Sequence, residues 1–413
     1  MLRLSKGERA QGRIKGAAED FIVEEITSNG IILERDKVYT AADLKLEEKT
    51  EGKFSTFVMQ KTNWNTSQAL KTIAKRFRRG VKSTAFAGTK DRTAISTQLC
   101  SVFGVKPEEL QNIHIKDISI NGAWIGTEKV KMGELLGNRF IAAVRDLSSL
   151  GEIDSIVAEL NGVFPNYYGE QRFGYRKTNF DIGLSMLKGD FKAAALNFLT
   201  ETQNETMDDA RIARQRLADE LDFRAALDYF PKYLKYERSM IEYLSKYPTN
   251  YANAIRKLPR SISLMFIHAV EAQIFNWELD ERIKSGSVVP SASDFACYEN
   301  AYGFPDISVI ERFGESENRR AFLIGNIIGQ DTQNITDFEK GKLEELGITT
   351  DSFKVQGLNE LHSTGTSRAL FAPFKDFDWV HDKENNLIRI SFSLPAGSYA
   401  TIFLDELVAQ NAE

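Results

Sequence analysis

The hydrophobic pattern changes twice along this chain, and this change limits the folds that the chain can adopt. Alternate positions in short stretches of the first ~160 residues, such as Ile95, Thr97 and Leu99 or Phe140, Ala142 and Val144, fall on one face of an extended chain, which predicts strands. From about Phe180 to Lys284 apolar residues recur at helical spacing instead. Alternation returns over Ile388–Leu394, before a turn and a final helix through Leu407. We therefore predict an α+β fold in which a largely helical segment interrupts a sheet domain.

Length and composition agree with a large, soluble, two-domain protein. The 413 residues exceed what one core usually serves, and 42% of them are hydrophobic. The chain has two cysteines, Cys100 and Cys297, too few for a disulfide framework and in keeping with a reducing cytosol. We find no apolar signal region after Met1 and no apolar run of the ~20 residues that a membrane helix needs. A cytoplasmic location, with no membrane partner, is expected.

The charge is acidic overall but basic in one segment. The net charge is −5, whereas the segment from Lys61 to Lys82 contains seven basic residues and no acidic one. Asn65 or Thr66 can begin a helix there and Gly80 can end it. Its core-facing residues are predicted to be Leu70, Ile73, Ala74 and Phe77, and its opposite face carries Lys71, Lys75, Arg78 and Arg79. That face is either simply solvated or contacts phosphates, and the lack of acids favours phosphate contact.

Sequence signatures of several common chemistries are missing. No Walker A motif, no glycine-rich dinucleotide motif after a strand, no HExxH motif and no Gly-x-Ser-x-Gly elbow occurs. The four histidines are scattered, so neither a metal site nor a cofactor site is predicted. An enzyme built on this sequence would have to use carboxylates, lysines, arginines and aromatic side chains.

One short segment is a candidate for chemistry. Residues 86–98 read FAGTKDRTAISTQ, which predicts a strand, a polar loop with Asp91 between Lys90 and Arg92, and a second strand. Neighbouring cations can keep a carboxylate ionised, and an ionised carboxylate can act as nucleophile or base. An ordinary turn is the alternative, because aspartate favours turns.

Five segments, in order, resemble motifs of the TruD-type pseudouridine synthases. The Gly-Thr-Lys-Asp-Arg segment ending at Arg92 resembles the family signature that carries the catalytic aspartate. The other four are Lys15–Ile26 (with Ala18 where the family usually has proline), Gly137–Phe140, Pro165–Gly174 (with Tyr168 for phenylalanine) and Leu394–Thr401. Together they span nearly the whole chain, and Asn63-Trp64 resembles the archaeal and eukaryotic branch.

The resemblance implies a fold, a reaction and a partner. It implies a discontinuous catalytic domain with a mixed or antiparallel sheet, built from residues 1–162 and 361–413, and an inserted TRUD domain at 163–360. The family reaction isomerises uridine to pseudouridine without a cofactor or metal, usually at uridine 13 of tRNA. The implied partner is tRNA, and no protein partner is implied.

The resemblance also implies roles for individual residues. Asp91 is expected to attack the ribose or the uracil, or to remove a ribose proton. Phe140 is expected to stack on a flipped uracil and Asn138 to position Asp91; without the motif these two would be a core residue and a turn residue. The remaining expected substrate contacts are Lys15, Lys90, Arg92, Gln171 and Arg172, although Gln171 and Arg172 could instead organise the domain junction.

Two other functions compete with this one. A TruD-like fold could clamp or chaperone tRNA without turnover, in which case Asp91→Asn would leave its activity intact. A metal-dependent hydrolase or nuclease would need acids clustered around Asp91, and none is evident locally.

Overall fold

The computed structural model describes residues 1–14, 16–314 and 319–410. Lys15, which was predicted to contact substrate, lies outside the described residues. The chain divides into two compact units. We call them the sheet unit, which comprises Arg3–Pro165, Glu299–Asp306 and Phe371–Glu413, and the helical unit, which comprises Met1–Leu2, Asn166–Tyr298 and Ile307–Leu370.

Both units contain helices and strands, which we number in chain order. The strands are β1 Ala10–Ile14, β2 Phe21–Thr27, β3 Phe54–Thr62, β4 Thr84–Phe86, β5 Ile95–Phe103, β6 Ile118–Gly126, β7 Leu135–Ser149, β8 Val163–Pro165, β9 Phe295–Tyr298, β10 Glu311–Arg312, β11 Ala321–Ile327, β12 Thr366–Ala369, β13 Phe371–Pro373, β14 Lys375–Asp382, β15 Leu387–Pro395 and β16 Val408–Gln410. The α-helices are α1 Thr66–Arg76, α2 Pro107–Gln111, α3 Ile153–Leu160, α4 Asn179–Leu187, α5 Phe191–Thr200, α6 Asp208–Glu220, α7 Phe223–Tyr229, α8 Lys235–Lys246, α9 Tyr251–Ile255, α10 Arg260–Ser285, α11 Asp337–Leu346 and α12 Ala400–Leu407.

The sheet unit is built on one large mixed sheet. Seven strands form a continuous path in the order β14-β15-β7-β2-β5-β3-β6, with β1 beside β7 and β16, and β4 beside β5. Most neighbours are antiparallel, but β2 runs parallel to β5 and β1 runs parallel to β16. The predicted α+β fold with a mixed sheet is therefore confirmed.

The predicted strands are present and are longer than their alternating stretches. The stretch Phe140–Val144 lies inside β7, which runs from Leu135 to Ser149, and Ile95–Leu99 begins β5, which continues to Phe103. Backbone pairing with β2 and β15 extends β7 back toward Leu135, and pairing with β1 extends it on to Ser149. The final helix also ends at Leu407 as predicted.

Helix α1 packs on one face of the sheet through the residues that its periodicity predicts. Leu70, Ile73 and Ala74 are fully buried, and Leu70 and Ile73 belong to one cluster with apolar side chains of β3 and β5. The Asn65 side chain caps the first turn by accepting a hydrogen bond from the Ser67 N–H. The helix ends at Arg76, before Gly80, because Arg78 adopts a left-handed conformation (φ 53°) and the Arg79 N–H bonds back to the Ala74 carbonyl.

The helical unit has its own apolar core around α10, a helix of 26 residues. Ile267, Val270 and Ile274 are fully buried there, as their spacing predicts. Helix α4 packs closely on α10, and a Cβ on Gly183 would collide with the Phe266 carbonyl, so this approach requires glycine. A four-stranded sheet in the order β10-β9-β11-β12 completes the unit.

Candidate active site

The candidate site lies on the face of the large sheet that also carries α1. Directly paired strand residues share a face, and the pairs Glu25 with Asn138, Val23 with Phe140 and Lys61 with Ser96 lie in register. Val23 also pairs with Ser96, so all of these residues share one face. The pleat sends the neighbouring Glu24 to the opposite face, where it pairs with Arg139 at 2.5 Å.

Asp91 lies on the loop between β4 and β5, and its side chain is exposed. Hydrogen bonds hold the backbone of this loop at three successive places. The Gln98 amide donates to the Gly88 carbonyl (3.0 Å), the Lys90 N–H donates to the Thr66 hydroxyl (3.1 Å), and the Lys61 ammonium donates to the Asp91 carbonyl (2.9 Å). The carboxylate is thus presented to solvent from a fixed backbone, which suits a reactive group.

Lys90 turns inward from the same loop into a buried ion pair. Its ammonium lies 2.6 Å from the Glu25 carboxylate, and the two side chains are 2% and 1% exposed. The second Glu25 oxygen accepts a hydrogen bond from the Leu99 N–H at 2.9 Å. Because a buried charge without a partner is strongly unfavourable, this pair fixes the residue that precedes Asp91 to strand β2. Lys90 is therefore placed behind the loop rather than at its surface.

Lys61 is a second buried lysine beneath the loop. It is fully buried on β3, and burial lowers the pKa of its ammonium to about 8, while the Asp91 charge opposes this shift and the Lys90 charge adds to it. Its hydrogen bond to the Asp91 carbonyl ties the sheet directly to the candidate catalytic residue. Sequence reasoning counted Lys61 only as part of the basic segment, although its alternation with Phe57 and Met59 indicates an inward-facing lysine.

Asn138 and Phe140 lie two residues apart on β7 and point to the same side as Glu25. The Asn138 side-chain oxygen is buried and has no hydrogen-bond partner among the described residues, so it is available to a ligand or to a rearranged loop. Phe140 is 6% exposed and its ring lies 5.5 Å from Phe392 and 5.9 Å from Phe21. Phe140 is thus part of an aromatic cluster, and its predicted stacking on uracil stays a prediction.

In the part of the chain that the structure describes, two serine hydroxyls also lack a hydrogen-bond partner, as the Asn138 oxygen does. Within the described residues, Ser96 Oγ and Ser398 Oγ are buried without a hydrogen-bond partner. Ser96 pairs with Lys61 on the site face, and Ser398 follows β15 in the Leu394–Thr401 segment. Buried polar groups are rarely left unsatisfied, so these two hydroxyls can still each form a hydrogen bond.

The basic residues predicted for one helix face are exposed, but only Lys71 and Lys75 lie on α1, because Arg78 and Arg79 follow its end. Lys71, Lys75 and Arg78 are exposed and form no ion pair among residues 1–14, 16–314 and 319–410. Arg79 differs, because its guanidinium donates a hydrogen bond to the Gly104 carbonyl at 2.6 Å. Arg92 is exposed on the Asp91 loop, next to the residue it was predicted to assist.

Gln171 and Arg172 belong to the helical unit, in a turn of 3-10 helix. Gln171 is exposed, whereas the Arg172 guanidinium lies 5.1 Å from the Tyr168 ring centre. Burial lowers the pKa of His268, and the Arg172 charge adds to this shift. Neighbouring residues of the same segment bind α10: Asn276 exchanges two hydrogen bonds with the Tyr168 backbone. These contacts show that the Pro165–Gly174 segment packs, from Asn166 onward, within the helical unit. A substrate role for Gln171 and Arg172 stays a prediction.

Neither a membrane-spanning helix nor a metal-binding cluster is found among the described residues. No helix there is both long enough and apolar enough to cross a membrane. No group of three or more histidine, cysteine, aspartate or glutamate side chains in that part is arranged to hold a metal ion. The positioning residues that sequence reasoning missed are Glu25, Lys61, Thr66 and Gln98, and only the lysine had a visible signal, a charge within an apolar alternation.

Comparison with known proteins gives one consistent result. The family model described as tRNA pseudouridine synthase D (TruD) matches residues 2–407. A Methanococcus maripaludis protein named as a tRNA pseudouridine synthase D is 35% identical over 407 residues, covering 97% of this chain and 95% of that protein. A Methanococcoides burtonii protein named "Probable tRNA pseudouridine synthase D" is 31% identical over 423 residues, covering 96% of this chain and 92% of that protein. A solved structure described as TruD from Methanosarcina mazei superposes with a TM-score of 0.76 at 30% identity, covering 98% of this chain and 95% of that one.

Proposed function

The chain belongs to the TruD family of tRNA pseudouridine synthases, and from this premise we propose that it isomerises a uridine of tRNA to pseudouridine with Asp91 as its catalytic carboxylate. The enzyme is accordingly an isomerase. We further propose uridine 13 as the position, from the family's usual substrate, and residues 163–360 as the inserted domain.

The observation that carries the Asp91 proposal is the construction of its loop. An exposed carboxylate stands on a backbone held by Lys61, Thr66 and Gln98, while the adjacent Lys90 is anchored in a buried ion pair. A loop that only reverses the chain does not require two buried lysines beneath it, because each buried charge carries a desolvation cost. The desolvation cost of two buried lysines beneath one exposed carboxylate supports a chemical role for that carboxylate.

The reaction is an internal rearrangement that needs no added atoms. The bond from uracil N1 to ribose C1′ breaks, the base turns, and C1′ bonds to C5; the C5 proton leaves and N1 gains a proton. Asp91 would act on the ribose or the uracil, or remove a ribose proton. The target base must leave its stack first, because these atoms are inaccessible within a stacked helix.

The neighbours of Asp91 suit the handling of such a base. We propose that Asn138 uses its unpartnered oxygen to position Asp91 or the uracil edge, and that Phe140 offers its ring for stacking. Lys15 and Arg92 would supply positive charge at the site. Lys90 would hold the loop through Glu25. The exposed Lys71 and Lys75 of α1, with Arg78 in the turn that follows it, would contact RNA phosphates.

The test is site-by-site detection of pseudouridine in unmodified tRNA transcripts, incubated with the protein in the presence of a chelator. Asp91→Asn should lower the rate at least about a hundredfold, because a positioned carboxylate contributes roughly that much or more. Asp376→Asn, at another exposed aspartate of the sheet unit, is the matched control and should keep the wild-type rate.

The competing functions predict other results in the same assay. A non-catalytic clamp binds tRNA and yields no product with either the wild type or Asp91→Asn. Product that requires added divalent metal would instead favour metal-dependent chemistry. Product at a position other than 13 would refute that position and leave the reaction in place.

A further inference from the structure

The exposed face of α8, in the helical unit, combines cations and tyrosines. The opposite face of this helix is buried through Met240, Ile241 and Leu244. Beside the exposed face lies a groove of about 550 Å³. Its charged lining consists of Lys232, Lys235, Arg238, Lys246 and one acid, Glu242.

The charge of this groove contrasts with that of the whole chain. The chain has 53 basic and 58 acidic residues, yet cations outnumber acids four to one in the groove. Lys232, Lys235 and Lys246 are exposed. The one acid pairs with Lys246 at 3.3 Å, an exposed contact that contributes little to stability. A cluster of like charges that the fold does not neutralise attracts a polyanion.

Arg238 serves the fold and the groove at once. Its Nη1 atom donates hydrogen bonds to the carbonyls of Leu227 (3.0 Å) and Phe230 (2.6 Å), which close the end of α7. Those carbonyls hold the guanidinium in place, and only Nη1 bonds to described residues. Its fixed charge therefore borders the groove at a defined position.

Large aromatic rings flank the cations. Tyr236 and Tyr247 are 47% and 55% exposed. Tyr236, Tyr243 and Tyr247 fall along one side of the helix, beside the line of Lys235, Ser239 and Lys246, because residues three, four and seven apart stack on a helix surface. The Tyr243 and Tyr247 rings are 5.0 Å apart, and the Lys257 ammonium lies 4.8 Å from the Tyr243 ring.

We propose that this face of α8 is a second RNA-contacting surface, which holds a loop or single-stranded segment of the substrate tRNA. The lysines contact its phosphates, and Tyr236 and Tyr247 stack on its unpaired bases. Cations that follow the backbone beside aromatic stacking surfaces are the elements that single-stranded RNA binders combine. The helix runs roughly 16 Å from Lys235 to Lys246, enough for several nucleotides.

This inference rests on the proposed function for the identity of the RNA, and its test is separate. The groove variant K232Q/K235Q/K246Q is compared with K188Q/K192Q/K340Q, which removes three exposed lysines of the same unit outside the groove. Direct binding of unmodified tRNA is measured against salt concentration. We expect the groove variant to bind about tenfold more weakly and to lose about 2 from its salt slope, since each single-strand phosphate contact contributes about 0.7. The loss appears in KM rather than in kcat.

Two further variants distinguish a direct RNA contact from a general loss of structure. Glu242→Gln removes the repelling carboxylate and should strengthen tRNA binding. Tyr236→Ala with Tyr247→Ala should weaken binding while the salt slope stays at its wild-type value, because stacking releases no counterions. The control variant should match the wild type in affinity and slope.

Equal tRNA affinity and salt slope in the groove variant and the wild type would overturn the inference. The alternative would then be that this face binds a protein. That outcome is distinct from failure of the proposed function, which shows as absence of pseudouridine with the wild-type enzyme.

Discussion

Breaking the buried pair between Glu25 and Lys90 should destabilise the sheet unit and disable the site together. In Glu25→Gln the amide oxygen can still accept the Leu99 N–H, but the Lys90 ammonium, 2% exposed, faces no carboxylate. Removing one partner of a buried ion pair typically costs about 3–5 kcal/mol in the free energy of unfolding. Lys90→Met should cost a similar amount, because it leaves the Glu25 carboxylate buried without its cation.

The double variant Glu25→Gln with Lys90→Met distinguishes the loss of the ion pair from the cost of leaving one charge buried without its partner. It keeps an acceptor for Leu99 and removes both charges, so we expect it to recover at least about 2 kcal/mol relative to either single variant. Its pseudouridine synthesis should nevertheless stay low, because the loop that carries Asp91 is no longer fixed to β2. Stability and catalysis then respond differently to the same double change.

The assay is urea unfolding followed by circular dichroism, with hydrogen exchange of the β2 and β5 amides to assign the transition to the sheet unit. Arg145→Gln is a control at a partly exposed ion pair, with Asp20, and should cost less than Glu25→Gln. A cost below about 1 kcal/mol for Glu25→Gln, or a double variant no more stable than the singles, would refute the importance of the pair.

The remaining predictions concern titration and the basic helix. The Lys61 pKa is lowered to about 8 from an unfolded value of 10.5, so the folded protein should gain stability as pH rises from about 8 to 10.5, and Lys61→Met should remove that slope in urea unfolding measured across this range. Burial and the neighbouring Glu339 raise the Glu278 pKa to about 8 from 4.5, so stability should fall as pH rises from 4.5 through 8; Glu278→Gln should lessen the fall, and an unchanged slope would contradict the assignment. Arg78→Ala should weaken tRNA binding and reduce its salt slope without changing stability, whereas Arg79→Ala should also lower the free energy of unfolding by about 0.5–1.5 kcal/mol, because it loses the hydrogen bond to Gly104.

Much of the architecture and the family could be predicted from local patterns. Alternation located β5, β7 and β15, and helical spacing located the buried side of α1, because one buried face imposes its period on the residues that form it. Five segments in a fixed order indicated the family that the match over residues 2–407 confirms. Such signals are short in range, so a linear sequence can carry them.

The partners of the charged residues were decided only by the tertiary structure. Glu24 and Glu25 are adjacent in sequence, yet the pleat sends one to Arg139 and the other to Lys90, which is 65 positions away. Lys61 reaches the Asp91 carbonyl only because β3 and β5 pair in a particular register, and Arg79 is tied to Gly104 only because α1 ends in a left-handed turn. The sequence pattern specifies which positions of a strand face inward. Strand order and register then determine which charged side chain lies opposite each of these positions.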